Sequence, residues 1–199
     1  MTTRSEATAR PAHLVLADGT AFRGFAIGAA GSTTGEAVFT TGMTGYQEVL
    51  TDPSYSGQIV TMTAPQMGNT GVNLEDQEAT RPHVAGFVVH ELSRLASNWR
   101  SNATLDAYLK QHQIVGIAGV DTRALTRHLR DNGAQLAAIG VEDVSTLCDR
   151  ARAAPSMVGR DLTRDVSTKN SYAWSETSGA WQLQEPRSPE RHVVAVDFG

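Results

Sequence analysis

Short apolar and β-favouring runs, separated by turn residues, fill the first half of the chain. Two such runs between His13 and Gly28 flank Asp18-Gly19, which predicts a hairpin because glycine supplies the positive φ of a tight turn. Further strands are predicted at about 36–40, 58–63 and 84–89, with loops dense in Gly, Asn and Pro between them. The fold is therefore predicted to begin in β-structure.

The second half changes to a helical period. Leu105, Tyr108 and Leu109 follow i, i+3, i+4 spacing behind Thr104, a plausible N-cap, and the apolar run 114–120 then predicts a strand. This order of helix and strand indicates an α/β second half.

Two more helices are predicted further along. The first starts at the N-cap Asp121 and stops at Gly133. After a strand candidate at 134–140, the second places Val144, Leu147, Cys148 and Ala151 along one face and ends before Pro155. A β-rich first half thus packs with an α/β second half.

The pattern also predicts domain limits. Residues 1–12 are predicted to be a disordered tail and 13–155 a domain, whereas the polar stretch 156–191 resembles a linker. The apolar run within 192–199 is typical of a buried strand, and one strand cannot bury itself. We therefore expect these last residues to begin a further domain that the chain truncates.

Composition excludes several classes of protein. The 199 residues include 40% hydrophobic and 19% charged residues, which is ordinary globular usage. A formal net charge of −4 without a basic stripe argues against nucleic acid as a partner. No apolar run approaches the roughly 18 to 20 residues of a membrane span. A single cysteine excludes an internal disulfide, so a cytoplasmic location is predicted.

The candidate reactive motifs are weak. Cys148 falls on the apolar face of its helix, which favours an inert core cysteine over a nucleophile. The motif HELSR at His90 has Arg94 where a zinc protease needs a second histidine, so no metal site is predicted. The glycines of 24–35 lack the Lys-Ser/Thr ending of a phosphate-binding loop, and a strand end with a turn is favoured.

One stretch, TTGMTGYQEVLTDPSYSGQIV at 40–60, is richer in turn residues and hydroxyls than a simple connection needs. It combines backbone donors near three glycines with side-chain hydroxyls, and Pro53 stiffens the turn that presents Ser54. Such a surface suits an amide or carboxylate ligand, but without an adjacent base it can bind and not catalyse. Composition alone favours a structural loop over a binding site.

The same region carries a family resemblance. GEAVFTTGMTGYQEVLTDPSYSGQIVTMTAPQMGNTGVN at 35–73 closely resembles the small subunit of glutamine-dependent carbamoyl-phosphate synthase. LASNWRS, IVGIAGVDTRALTRHLRDNGAQ, GRDLTRDVST and HVVAVDFG follow in the order of that family. The resemblance covers nearly all of the chain after residue 12.

The resemblance implies a three-layer β/β/α (swivelling-type) amino-terminal domain, followed by a class I glutamine amidotransferase domain of which 192–199 is the first strand. In the family that second domain carries the cysteine, histidine and glutamate that hydrolyse glutamine, so no catalytic residue is assigned in this chain. The ammonia passes to a large subunit, the expected heterodimer partner, which makes carbamoyl phosphate for arginine and pyrimidine synthesis. ATP and Mg are expected only there, so no cofactor is assigned here.

One functional residue follows from the resemblance. The serine after proline in the family motif DPSYS contacts glutamine, and it matches Ser54. Two alternatives stay open. One is a docking module in which Ser54 meets no ligand, and the other is a free-standing binding protein for an amide metabolite.

Overall fold

The computed structural model describes residues 10–175 and 191–197. The chain divides into two compact units, the first ending at Arg160 and the second beginning at Asp161.

Seven strands of the first unit form a closed barrel. Around the barrel they are β1 (Pro11–Leu16), β2 (Ala21–Gly28), β8 (Val115–Ala118), β6 (Gly86–Val88), β4 (Gln58–Met62), β3 (Thr33–Thr40) and β9 (Gln135–Gly140). The three pairs between β3, β4, β6 and β8 are parallel, and the other pairs are antiparallel. Two short strands, β5 (Gln66–Met67) and β7 (Glu91–Leu92), pair in parallel as a separate sheet.

Five α-helices are present in the described residues. They are α1 (Tyr46–Thr51), α2 (Leu105–Gln111), α3 (Thr122–Asn132), α4 (Val144–Ala153) and, in the second unit, α5 (Thr163–Val166). The predicted N-caps are confirmed: Thr104 Oγ1 accepts from Ala107 N at 3.2 Å, and Asp121 Oδ1 accepts from Ala124 N at 2.8 Å. Each cap satisfies one of the amide groups that a helix start leaves unpaired.

The predicted hairpin is also confirmed. Strand β1 pairs with β2 from Pro11 opposite Phe25 to Val15 opposite Ala21, and Gly19 in the turn has φ 96°. The strands predicted at 36–40, 58–63, 84–89 and 114–120 form with shifted ends as β3, β4, β6 and β8.

Three apolar clusters stabilise the first unit. One joins inward-facing barrel residues to Leu125 and Leu129 of α3, and a second packs α1 and α2 around Phe87. The third packs α4 on β1 and β9 and includes Cys148, whose predicted core position is confirmed by its burial. Full burial of each large aliphatic side chain contributes about 1.5 to 3 kcal/mol, so these contacts hold the helices to the barrel.

The mixed α/β class is confirmed, but the predicted three-layer arrangement is not. Strand β9 pairs with β3 along one edge and with β1 along the other. This pairing closes the strands into one barrel, whereas a β/β/α layering needs two separate sheets.

The second unit has little regular structure in its described residues. Thr168 N donates to Asp197 Oδ2 at 2.7 Å, and residues 191–197 form no strand. Val193, Val194 and Val196 are exposed there. The predicted tail, linker and terminal strand extend into residues 1–9, 176–190 and 198–199, which lie outside the described residues, so those domain limits stay predictions.

Candidate functional site

The stretch 40–60 is not one continuous loop, because it contains α1. Gly45 precedes this helix with φ 78°, and Tyr46 and Leu50 bury their side chains one turn apart. A six-residue helix is about 9 Å long, so the hydroxyls of Thr44 and Ser54 lie at opposite ends of it. The structure therefore separates the hydroxyl groups that composition had placed in one loop.

Ser54 lies in a single 3-10 turn, Pro53–Tyr55, directly after α1. The backbone N–H of Ser54 donates to Asp52 Oδ1 at 2.8 Å, so Asp52 caps the turn and Pro53 occupies its first position. The Ser54 residue is exposed, and its hydroxyl makes no hydrogen bond to any residue in the described ranges. Ser54 is thus exposed on a turn whose backbone N–H groups are satisfied.

The chain on both sides of this turn is held by the backbone of His83. His83 N donates to Leu50 O at 2.9 Å, and Gly57 N donates to His83 O at 3.2 Å. Gly57 has φ 76°, a value that favours glycine, where the chain enters β4. Two backbone hydrogen bonds to His83 therefore fix the position of the segment that carries Ser54.

Helix α1 is fixed in turn to residues 70–78. The Tyr46 hydroxyl lies 2.8 Å from Thr70 Oγ1, and Glu78 N donates to Thr51 Oγ1 at 2.9 Å. Buried Gln47 bonds the backbone of Asn73 twice. These contacts were missed because no local pattern shows which loop a buried amide will meet.

Arg100 joins that loop to the next one. Its guanidinium lies 2.7 Å from Asp76 Oδ1 and 2.8 Å from Glu75 Oε2, and the hydrogen bond to Asp76 is the main cause that raises the pKa of Arg100. The two connected loops carry three strongly exposed apolar side chains, Leu74 (82% exposed), Leu95 (77%) and Trp99 (86%). We call these three residues the apolar loop set.

The Ser54 turn is suited to binding a ligand and not to nucleophilic catalysis. Among the described residues no histidine, carboxylate or amine is hydrogen-bonded to the Ser54 hydroxyl, and a serine nucleophile needs such a base. Burial and the charge of Arg81 lower the pKa of nearby His83, and Asp52 partly opposes this shift. A free hydroxyl can both donate to and accept from an amide or carboxylate.

The other motifs considered in the sequence, at His90 and in the glycines of 24–35, have structural roles. His90 Nδ1 lies 2.9 Å from the Val120 carbonyl. The glycines of 24–35 lie on β2, on β3 and in the turn between them, as predicted. Within residues 10–175 and 191–197, no three His, Cys, Asp or Glu side chains form a group that could hold a metal ion. No helix in these ranges is long and apolar enough to cross a membrane.

The chain belongs to the carbamoyl-phosphate synthase small chain family: residues 14–139 match the model of its CPSase domain. It is 57% identical over 193 residues to the carbamoyl phosphate synthase small chain of Syntrophotalea carbinolica, covering 94% of this chain and 51% of that one. It is 52% identical to the small chain of a Synechocystis species, covering 97% and 52%. The chain therefore spans about half the length of the curated relatives it matches.

Proposed function

We propose that this chain is the amino-terminal part of the glutamine-hydrolysing small subunit of carbamoyl-phosphate synthase, and that in the full-length subunit it contributes Ser54 to the glutamine pocket without taking part in the chemistry. A second domain of the subunit carries the cysteine, histidine and glutamate. Ammonia released there passes to a large subunit, which combines it with bicarbonate and ATP. The family match over residues 14–139 supports the identity of the subunit.

The observation that carries the binding role is the exposed Ser54 hydroxyl on its capped turn. The backbone N–H groups of the turn are satisfied, and the exposed Ser54 hydroxyl is available to a ligand. Because the turn is fixed to His83, little order has to be gained when glutamine binds. One neutral hydrogen bond contributes about 0.5 to 1.5 kcal/mol. Ser54 therefore supplies a small part of the free energy of glutamine binding, and other groups supply the rest.

Replacing Ser54 by alanine in the full-length subunit, assembled with its large subunit, tests this role. We expect glutamine KM to rise about two- to tenfold, since the lost hydrogen bond is made to bound substrate. Ser56→Ala, two residues away and just past the same turn, is the matched control and should leave KM within twofold. An unchanged KM and kcat for Ser54→Ala would favour the docking module without ligand contact.

A docking role has support of its own in the apolar loop set. Leu74, Leu95 and Trp99 are exposed on loops that Arg100 joins. Exposed apolar patches mark protein interfaces, and Trp is enriched among the residues that carry binding energy there. We assign this surface to contact with the large subunit. Trp99→Ser should weaken subunit association, while Val158→Ser, equally exposed but outside these loops, should not. Equal association of both variants would remove the assignment.

The proposed function also has a cellular setting. The subunit works in the cytoplasm, as half of a heterodimer, in arginine and pyrimidine synthesis, and ATP and Mg bind only to the large subunit.

Calorimetry of this chain with glutamine should give no detectable heat, because one hydroxyl is a small part of a site. Measurable binding would instead favour a free-standing protein that binds an amide metabolite.

A further inference from the structure

The position of the Ser54 hydroxyl depends on very few contacts. Its side chain has no hydrogen bond to a described residue, so only the backbone of the turn and one side-chain torsion place its oxygen. Pro53 has no N–H, and the N–H of Ser54 is the group at the start of the turn that needs an acceptor. Asp52 Oδ1 supplies that acceptor at 2.8 Å.

Asp52 also connects this turn to α1. Its own N–H donates to Glu48 O at 2.8 Å, which closes the last turn of the helix, and its carbonyl accepts from Tyr55 N at 3.1 Å. One residue therefore ends the helix and begins the turn. Since α1 is held by Gln47, and the far end of the turn is held by His83, the Asp52 carboxylate is the side chain that orients the segment between two fixed points.

We propose that Asp52 is a positioning residue for glutamine binding, which acts by holding the backbone of Ser54 and does not itself touch the substrate. This inference rests on the proposed role of Ser54. It concerns the acceptor oxygen of Asp52 and not its charge. Asparagine, which caps as well as aspartate, should therefore replace Asp52, and alanine should not.

The test uses the full-length subunit assembled with its large subunit and measures glutamine KM and kcat. Asp52→Ala should raise KM about three- to tenfold, the equivalent of one lost cap, while Asp52→Asn should stay within twofold of the parent. Asp121→Ala is the matched control, because Asp121 also accepts a cap hydrogen bond of 2.8 Å from a backbone N–H, at the start of α3, and makes no hydrogen bond to the Ser54 turn in the described residues. It should lower the melting temperature and leave KM unchanged.

A double-variant cycle separates positioning from general loss of structure. If Asp52 acts through Ser54, Asp52→Ala should have little further effect on KM once Ser54 is alanine. Full additivity of the two changes, or equal losses in Asp52→Asn and Asp52→Ala, would overturn the positioning role. An unchanged KM in Ser54→Ala alone would instead refute the proposed role of Ser54, so the two failures are distinguishable.

Discussion

The side chain of Gln47 and the backbone of Asn73 are joined by two reciprocal hydrogen bonds. Gln47 Nε2 donates to the Asn73 carbonyl at 2.6 Å, and Asn73 N donates to Gln47 Oε1 at 3.0 Å. Gln47 is only 3% exposed, so these groups have little access to water. The Gln47 amide thus pairs with the Asn73 backbone as a neighbouring strand would. It joins helix α1, which precedes Ser54, to the loop that Arg100 contacts.

Gln47→Ala should lower the free energy of unfolding by about 1 to 3 kcal/mol, because it leaves the Asn73 N–H and carbonyl without partners. Gln47→Glu should cost more, since a carboxylate oxygen would then face the Asn73 carbonyl. Urea unfolding measures both changes. Gln66→Ala, which removes an exposed amide 3.3 Å from Glu91, is the control and should cost under about 0.5 kcal/mol. Equal losses at both positions would contradict the reciprocal bonding.

Gly28→Ala should destabilise the barrel strongly. Gly28 has φ 69°, and an added Cβ would lie 2.3 Å from the Ile114 carbonyl oxygen and 2.9 Å from Leu109 Cβ. Strain and overpacking together should cost about 2 to 4 kcal/mol in urea unfolding. Gly159→Ala has a similar φ of 80° but no atom within 4 Å, so it should show the smaller cost of strain alone. If the two costs were equal, the close packing at Gly28 would be refuted.

Asp18 should make stability depend on pH in the acid range. Burial alone would raise the pKa of Asp18, but hydrogen bonds from Thr20, His128 and Gln135 outweigh it and lower this pKa from 3.8 to about 2. The unfolded chain therefore takes up the proton first. The stabilisation is full above about pH 4 and is lost as the pH falls towards about 2.

Asp18→Asn should flatten the fall in stability between about pH 4 and about pH 2, as measured by urea unfolding across that range. Asp149→Asn offers a control, because Asp149 is exposed and makes no hydrogen bond to a described residue. Its acid profile should match the parent chain. A parent-like profile for Asp18→Asn would contradict the pKa shift.

Cys148 should resist thiol reagents while the chain is folded. It is 8% exposed and packs with Leu147 and Ala151 against β1 and β9, so a reagent reaches it only after local or global opening. Iodoacetamide labelling followed by mass spectrometry should show slow modification in buffer and fast modification in urea. Equal rates in the two conditions would place the thiol at the surface.

Local signals explain what the sequence predicted well. The caps at Thr104 and Asp121 depend on neighbouring residues, so both helix starts were found. Helix α1 was missed because its six residues lie between Gly45 and Pro53, although Tyr46 and Leu50 have helical spacing. The cap at Asp52 was also missed, although Asp directly precedes a proline that can start a turn.

Non-local contacts explain the rest. Barrel closure pairs His13 with Gly140, and no local pattern specifies a pairing across so long a stretch of chain. The hydrogen bonds between Gln47 and Asn73 are also non-local. A sequence pattern can indicate that the Gln47 amide is buried, but it does not specify the residue that the amide contacts. The role of Ser54 came from family resemblance, and the structure adds its exposure and its cap.

Ammonia release from glutamine by the 199-residue chain itself, with the full-length subunit as the positive control, decides whether this part of the subunit carries the chemistry. We propose that this chain contributes a binding contact and that the chemistry lies elsewhere in the subunit. We therefore expect no release above the buffer rate from the chain and clear release from the full-length subunit. Release at an enzymatic rate by the 199-residue chain would contradict the claim.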